Sequence, residues 1–67
     1  MQNRGARIES LKRYISLLHQ EEKRLNWLIS STVVSTAARA DAEINVRAVI
    51  EKLRKAGKEL RELTGIA

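Results

Sequence analysis

From Ala6 to Ile29 the apolar residues Ile8, Leu11, Ile15, Leu18, Leu25 and Ile29 recur in steps of three and four, with one missed beat at Glu22. Such steps keep side chains on one face of a 3.6-residue helix, so the segment reads as an amphipathic helix. Tyr14, Leu17 and Leu28 widen the stripe on one flank, making it broader than a single partner helix can hide. The second half is more regular: Ala42, Val46, Val49, Leu53, Ala56, Leu60, Leu63 and Ala67 step by four and three throughout, a heptad seam. Around it Glu43/Arg47, Arg47/Glu51, Glu51/Lys55, Lys55/Glu59 and Lys58/Glu62 stand four apart with opposite charge, a spacing that supports an exposed helix. Gly65 follows the last periodic turn as a C-terminal stop.

Between the two patterns lies Ser30-Ser31-Thr32-Val33-Val34-Ser35-Thr36. Carried forward, the phase of the first stripe would place Thr32, Thr36, Arg39 and Glu43 in the core, whereas the second seam runs through Ala42, Val49, Ala56 and Leu63. The phase slips here. Serine and threonine compete for backbone hydrogen bonds, and valine and threonine lose side-chain freedom in a helix. The pattern therefore predicts an all-α fold: two helices, about residues 6–30 and 36–64, joined as an antiparallel hairpin in a single domain spanning 1–67. Ser35 or Thr36 is the expected N-cap of the second helix. Val33 and Val34 either tuck under the turn or face a partner, and Met1 to Gly5 forms an arm. The rival is one long, kinked helix in a coiled coil, since the turn holds no Gly, Pro, Asn or Asp.

Size and cysteine content add a demand for association. A chain of 67 residues buries only about 60% of its unfolded surface, and with no cysteine it has no disulfide or thiolate metal site to supplement its core. Self-association is the remaining common device. The expected assembly is a homodimer or larger, two hairpins forming a four-helix bundle, with Ile8, Leu11, Ile15, Leu18, Leu25, Val46, Val49, Leu53, Leu60 and Leu63 as the oligomer interface. MQNRGARIES has no apolar signal region, and no run of about 18 apolar residues occurs. An intracellular, cytoplasmic protein without membrane partners is expected.

Charge changes the picture again. Thirteen Lys and Arg against eight Asp and Glu give net +5, which favours acidic partners and nucleic acid first. On a helical wheel Lys12, Arg13, Ser16, Gln20, Lys23 and Trp27 lie opposite the first stripe. Arg47, Arg54, Lys58 and Arg61 lie opposite the second seam over about 21 Å at 1.5 Å per residue. These ten are the candidate nucleic-acid-binding residues. The plainer alternative is a solvated face, because Glu51, Glu59 and Glu62 flank the second row. Trp27 is either an aromatic platform beside cations, suited to bases or duplex ends, or packed on the turn or an oligomer contact.

Catalytic chemistry is not expected. His19 is the one histidine and Asp41 the one aspartate, so no nucleophile, base and orienter can be assembled. His19 and Glu22, three apart, can form half of a dimeric carboxylate–histidine metal site, but a surface histidine is the commoner case, and neither metal nor cofactor nor small-molecule substrate is predicted. No glycine-rich phosphate loop is present; Gly57 reads as a point of close helix approach beside Ala56.

A short basic helical hairpin expected to dimerise into a four-helix bundle resembles two RNA-binding families, the Rop copy-control proteins of plasmids and the nodavirus suppressors of RNA silencing. The likeness is one of architecture over the whole chain, and it carries over no individual residue. It implies docking of helix faces on duplex RNA through its backbone, as a viral silencing suppressor does. The leading expectation is sequence-independent binding of duplex or structured nucleic acid, RNA ahead of DNA, by the basic faces of a homodimer. The alternative is a non-catalytic assembly or adaptor protein that engages a helical protein partner.

Overall fold

The computed structural model describes residues 3–65. Within them the chain forms two antiparallel α-helices, α1 (Arg4–Ser30) and α2 (Thr36–Thr64), and no strand. The hairpin measures 47 × 18 × 17 Å. One long continuous helix is thereby excluded.

The turn works without glycine because none of its residues needs a left-handed backbone. Helix α1 ends at Ser31 with φ −79° and ψ 130°, and Ser35 enters α2 with φ −63° and ψ 157°, both extended conformations open to any L-residue. Hydroxyls bond the backbone on both sides of the break. Ser30 Oγ donates back to Asn26 O at 3.0 Å inside the last turn of α1, while Val33 N donates to Ser31 Oγ at 3.4 Å and Ala38 N, a donor that the start of α2 leaves free, donates to Ser35 Oγ at 3.2 Å. Ser35 is therefore the N-cap. Val34 is half-buried while Val33 is among the most exposed residues of the hairpin.

The outer ends are closed as well. Asn3 caps α1, its Oδ1 accepting from Ala6 N at 2.7 Å, so Arg4 and Gly5 are helical instead of forming an arm; Met1 and Gln2 lie outside the described residues. At the far end Gly65 adopts φ 74°, the left-handed conformation that terminates a helix and that glycine takes most cheaply. The stop predicted there is present, whereas Ala67, the last position of the heptad, lies outside the described residues.

The core is one seam. Leu11, Leu18 and Leu25, seven apart on α1, are buried, and so are Ala42, Val46, Val49 and Ala56 on α2. Leu18 and Leu25 pack in one cluster with Ala42, Val46 and Val49, with Leu28, Ile29 and Leu53 lying partly buried against it. Leucine on one helix meets alanine or valine on the other, so large and small side chains interdigitate. Five of the ten residues expected at an oligomer interface, Leu11, Leu18, Leu25, Val46 and Val49, are thus buried by the chain's own second helix. The other five, Ile8, Ile15, Leu53, Leu60 and Leu63, remain half-exposed.

Two expectations need correction. Gly57 is not a point of close approach: a Cβ built there would meet nothing within 4 Å, so α2 stands clear of α1 at that position. The i,i+4 pairs expected along α2 are not formed among the described residues: the ion pair within α2 is spaced i,i+3, Glu51–Arg54 at 2.6 Å, and α1 uses the same spacing in Glu21–Arg24 and in Glu9–Lys12 at 3.8 Å. The planar guanidinium explains this, since Arg54 places Nη2 on Glu51 Oε1 and Nε on Oε2 together, a fork that the three-residue spacing accommodates.

Inserting two glycines between Val33 and Val34 should leave helicity unchanged and lower stability by only a few tenths of a kcal/mol. Circular dichroism during urea unfolding checks this. A loss above about 2 kcal/mol would mean that the turn geometry itself holds the helices in register.

Candidate nucleic-acid interface

Each basic row lies opposite its own helix's buried stripe. Because the two stripes face each other, the rows lie toward the two outer edges of the hairpin, and at about 100° per residue both lean toward the side that carries Ile8, Ile15 and Ile50. Lys12, Arg13, Ser16, Gln20, Lys23 and Trp27 are all exposed on α1, as are Arg47, Arg54, Lys58 and Arg61 on α2. The structure therefore gathers each row along its own helix, with Lys12 and Lys23 of α1 and Arg54 and Arg61 of α2 leaning toward the same side.

Their electrostatics differ. Arg54 is engaged by Glu51, and its guanidinium hydrogen bonds hold that carboxyl below the usual carboxylate value. Lys12 has Glu9 at 3.8 Å, a long contact between exposed groups worth little in water. Among the described residues Arg13, Lys23, Arg47, Lys58 and Arg61 have no carboxylate within 4 Å. Each row thus keeps cations without a carboxylate partner, and the α1 row also carries Trp27, which is 61% exposed and so is not buried by the turn. The indole and the Lys23 ammonium, one helical turn apart, share the solvent-facing surface.

The two broad sides of the hairpin are unlike each other. Advancing 100° per residue puts Ile8, Ile15, Ile50, Leu53 and Gly57 on one side and Tyr14, Leu17, Lys52 and Lys55 on the other. On the second side a shallow groove of about 480 Å³ runs between the helices toward the chain ends, walled by Arg7, Ser10 and Tyr14 of α1 and by Lys52, Lys55 and Glu59 of α2, with Leu11 and Ala56 as its floor. Sequence reasoning missed this groove, because it forms only when the helices pair. The Arg7–Glu59 bridge at 2.6 Å across its end was missed for the same reason. Its hydrogen bond from Arg7 holds the Glu59 carboxyl below the usual value.

His19 Nδ1 lies 3.6 Å from Glu22 Oε1, an intrahelical pair on one edge of α1. Among the described residues no three His, Cys, Asp or Glu side chains cluster as a metal site requires. Also among them, no helix is long and apolar enough to cross a membrane.

Comparison of the chain with models of protein families, with curated proteins and with solved structures finds no match.

A carboxyl held low in the folded state contributes stability that is present above its unfolded value, near 4.5, and is lost as pH falls through the folded value. Glu59 is such a group. The melting temperature should fall as pH drops below about 4.5, and in Glu59→Gln the part of that fall due to the Arg7 bridge should vanish. Both effects should shrink at high salt, because the pair is solvent-exposed. Thermal melts across the acid range read this out; an unchanged acid limb in the variant would show that the bridge contributes nothing.

Proposed function

We propose that the chain is a homodimer, a four-helix bundle, that binds duplex or structured nucleic acid independently of sequence through its outward basic rows, with RNA the favoured form. The observation that carries this reading is the α1 edge, where Arg13 and Lys23 lack carboxylate partners beside an exposed Trp27. A core has no use for that grouping. Cations at helical spacing follow phosphates, and an indole offers a stacking plane to any base.

Dimerisation is supported by surface accounting. A compact monomer of this mass exposes about 4,300 Å², whereas the hairpin exposes 5255 Å². The excess is comparable to the roughly 800 Å² that each partner buries in a standard interface. The apolar side with Ile8, Ile15, Ile50 and Leu53 is where a second copy would lie. Pairing two hairpins there by a two-fold axis stands a helix of each copy beside a helix of the other, at the 8–10 Å usual for packed helices. Single basic rows become paired rows. The length and straightness of the helices suit contact along a duplex backbone, which is how shape-dependent RNA recognition proceeds. The architectural resemblance to Rop and the nodavirus suppressors favours the same reading and a cytoplasmic, viral or plasmid setting for it.

A second reading draws on Leu17 at 63% and Ile44 at 66% exposure. Apolar side chains that far from the seam are what an amphipathic partner helix would cover, and they favour the adaptor alternative.

Gel shifts with duplex RNA, duplex DNA and single strands over a salt series separate the two. Duplex affinity should fall steeply with salt, and Lys12→Glu with Lys23→Glu should lower the slope of log K against log salt by about two, one for each phosphate no longer neutralised. Trp27→Ala should weaken binding by about 1–3 kcal/mol while leaving the melting temperature unchanged. Absence of duplex binding at low salt, or charge reversals without effect, would hand the function to the helix-partner reading.

A further inference from the structure

On the broad side away from Ile8, Ile15 and Ile50, the groove between the helices sets two lysines of α2 across from a tyrosine of α1 over an apolar floor. We propose that it binds one nucleoside 5′-phosphate unit, the ring on the α1 wall and the phosphate on the α2 wall. The site is separate from the basic rows and goes beyond the duplex-binding reading, so a chain that binds no duplex can still bind a mononucleotide.

The Arg7–Glu59 bridge fixes the level of the two walls. Seven residues further in along each helix stand Tyr14 and Lys52, so in the antiparallel pair they lie across from each other at one level, about 10 Å from the bridge at 1.5 Å per residue. Lys55 stands four residues in, at the level of Leu11. Leu11 and Ala56, both buried, form the floor, and the space of about 480 Å³ lies in the range of roughly 300–1,000 Å³ usual for small-molecule sites.

The two walls differ in chemistry. On α1, Tyr14 is 43% exposed and presents its ring beside the apolar floor, a surface that takes up a flat ring, as every base is. Its phenol and the Ser10 hydroxyl, which make no hydrogen bond among the described residues, are left to meet polar atoms of a base edge or a ribose. The α2 wall is positive. Among the described residues neither Lys52 nor Lys55 has a carboxylate within 4 Å, and three residues apart they are neighbours on the helix surface, placed to share one phosphate. Glu59, the acid of the lining, is bonded to Arg7 and so closes the end of the groove without opposing an anion. That closure favours a single unit over a continuing strand. The dimer contact proposed above uses the other broad side, so the groove stays open in it.

Amide NMR spectra of the full chain, titrated with adenosine 5′-monophosphate, test the site, with inorganic phosphate and adenosine as the two halves of the ligand. Saturable shifts at Tyr14, Lys52, Lys55 and Ala56 are expected, and each half alone should bind at least about tenfold more weakly. Lys52→Gln with Lys55→Gln should weaken binding about tenfold or more. Tyr14→Leu should weaken it about tenfold and Tyr14→Phe much less, with the melting temperature unchanged in each, because these side chains are exposed. Lys12→Gln with Lys23→Gln, in the α1 row, should leave it unchanged. Displacement of the mononucleotide by a duplex with a phosphorylated one-nucleotide overhang, and not by its blunt counterpart, would assign the groove to strand ends; displacement by neither assigns it to free nucleotide. Equal affinity for phosphate and for adenosine monophosphate, shifts confined to the basic rows, or no saturation by millimolar nucleotide would overturn the proposal. Loss of duplex binding with these groove shifts intact would count against the duplex reading alone.

Discussion

Two long helices can press only one stripe each against the other, and every other feature of this chain is arranged around that single seam. Seven residues, Leu11, Leu18, Leu25, Ala42, Val46, Val49 and Ala56, are buried along it. The leucines of α1 fill the space that alanines and valines of α2 leave, which lets the helices run side by side for nearly their whole length. What the seam does not cover stays in water: Ile50 on one broad side, Leu17 on the other, and the cations at both edges. Among the described residues no third layer lies over these side chains, in keeping with the small share of surface that a domain of this size buries.

The seam was legible in the sequence because helical periodicity is a property of spacing alone. Both helices fall within two residues of the boundaries that spacing predicts, and the slip of phase at Ser30 to Thr36 marked the turn correctly. What periodicity could not say is which partner covers which residue. Leu18 and Val49 read equally well as hairpin core or oligomer interface, since a stripe looks the same to either partner; only their packing in one chain decides that the hairpin has first claim on them. Charge pairing was misjudged for another reason. Four-residue spacing along α2 looked ideal for ion pairs, yet Glu51 closes on Arg54, because the forked guanidinium gains two bonds there. Arg7 with Glu59, 52 residues apart, leaves no local trace at all.

The candidate interface was legible by residue and not by arrangement. A wheel diagram shows correctly that Lys12, Lys23 and Trp27 avoid the core, but where the α1 row lies relative to the α2 row follows only from the antiparallel pairing. Cations spaced along a helix and not gathered in a pocket are the arrangement on which the proposed contact with an extended polyanion rests.

The seam leaves Ile8, Ile15, Leu53, Leu60 and Leu63 half-exposed, and in the proposed dimer association and folding are linked. Sedimentation equilibrium over a dilution series from micromolar concentrations, with helicity recorded on the same samples, puts that linkage to the test. A helical species of at least twice the 7.6 kDa chain mass is expected, with helicity falling as dilution dissociates it. A fully helical, cooperatively melting species at the mass of one chain throughout the series would refute the linkage.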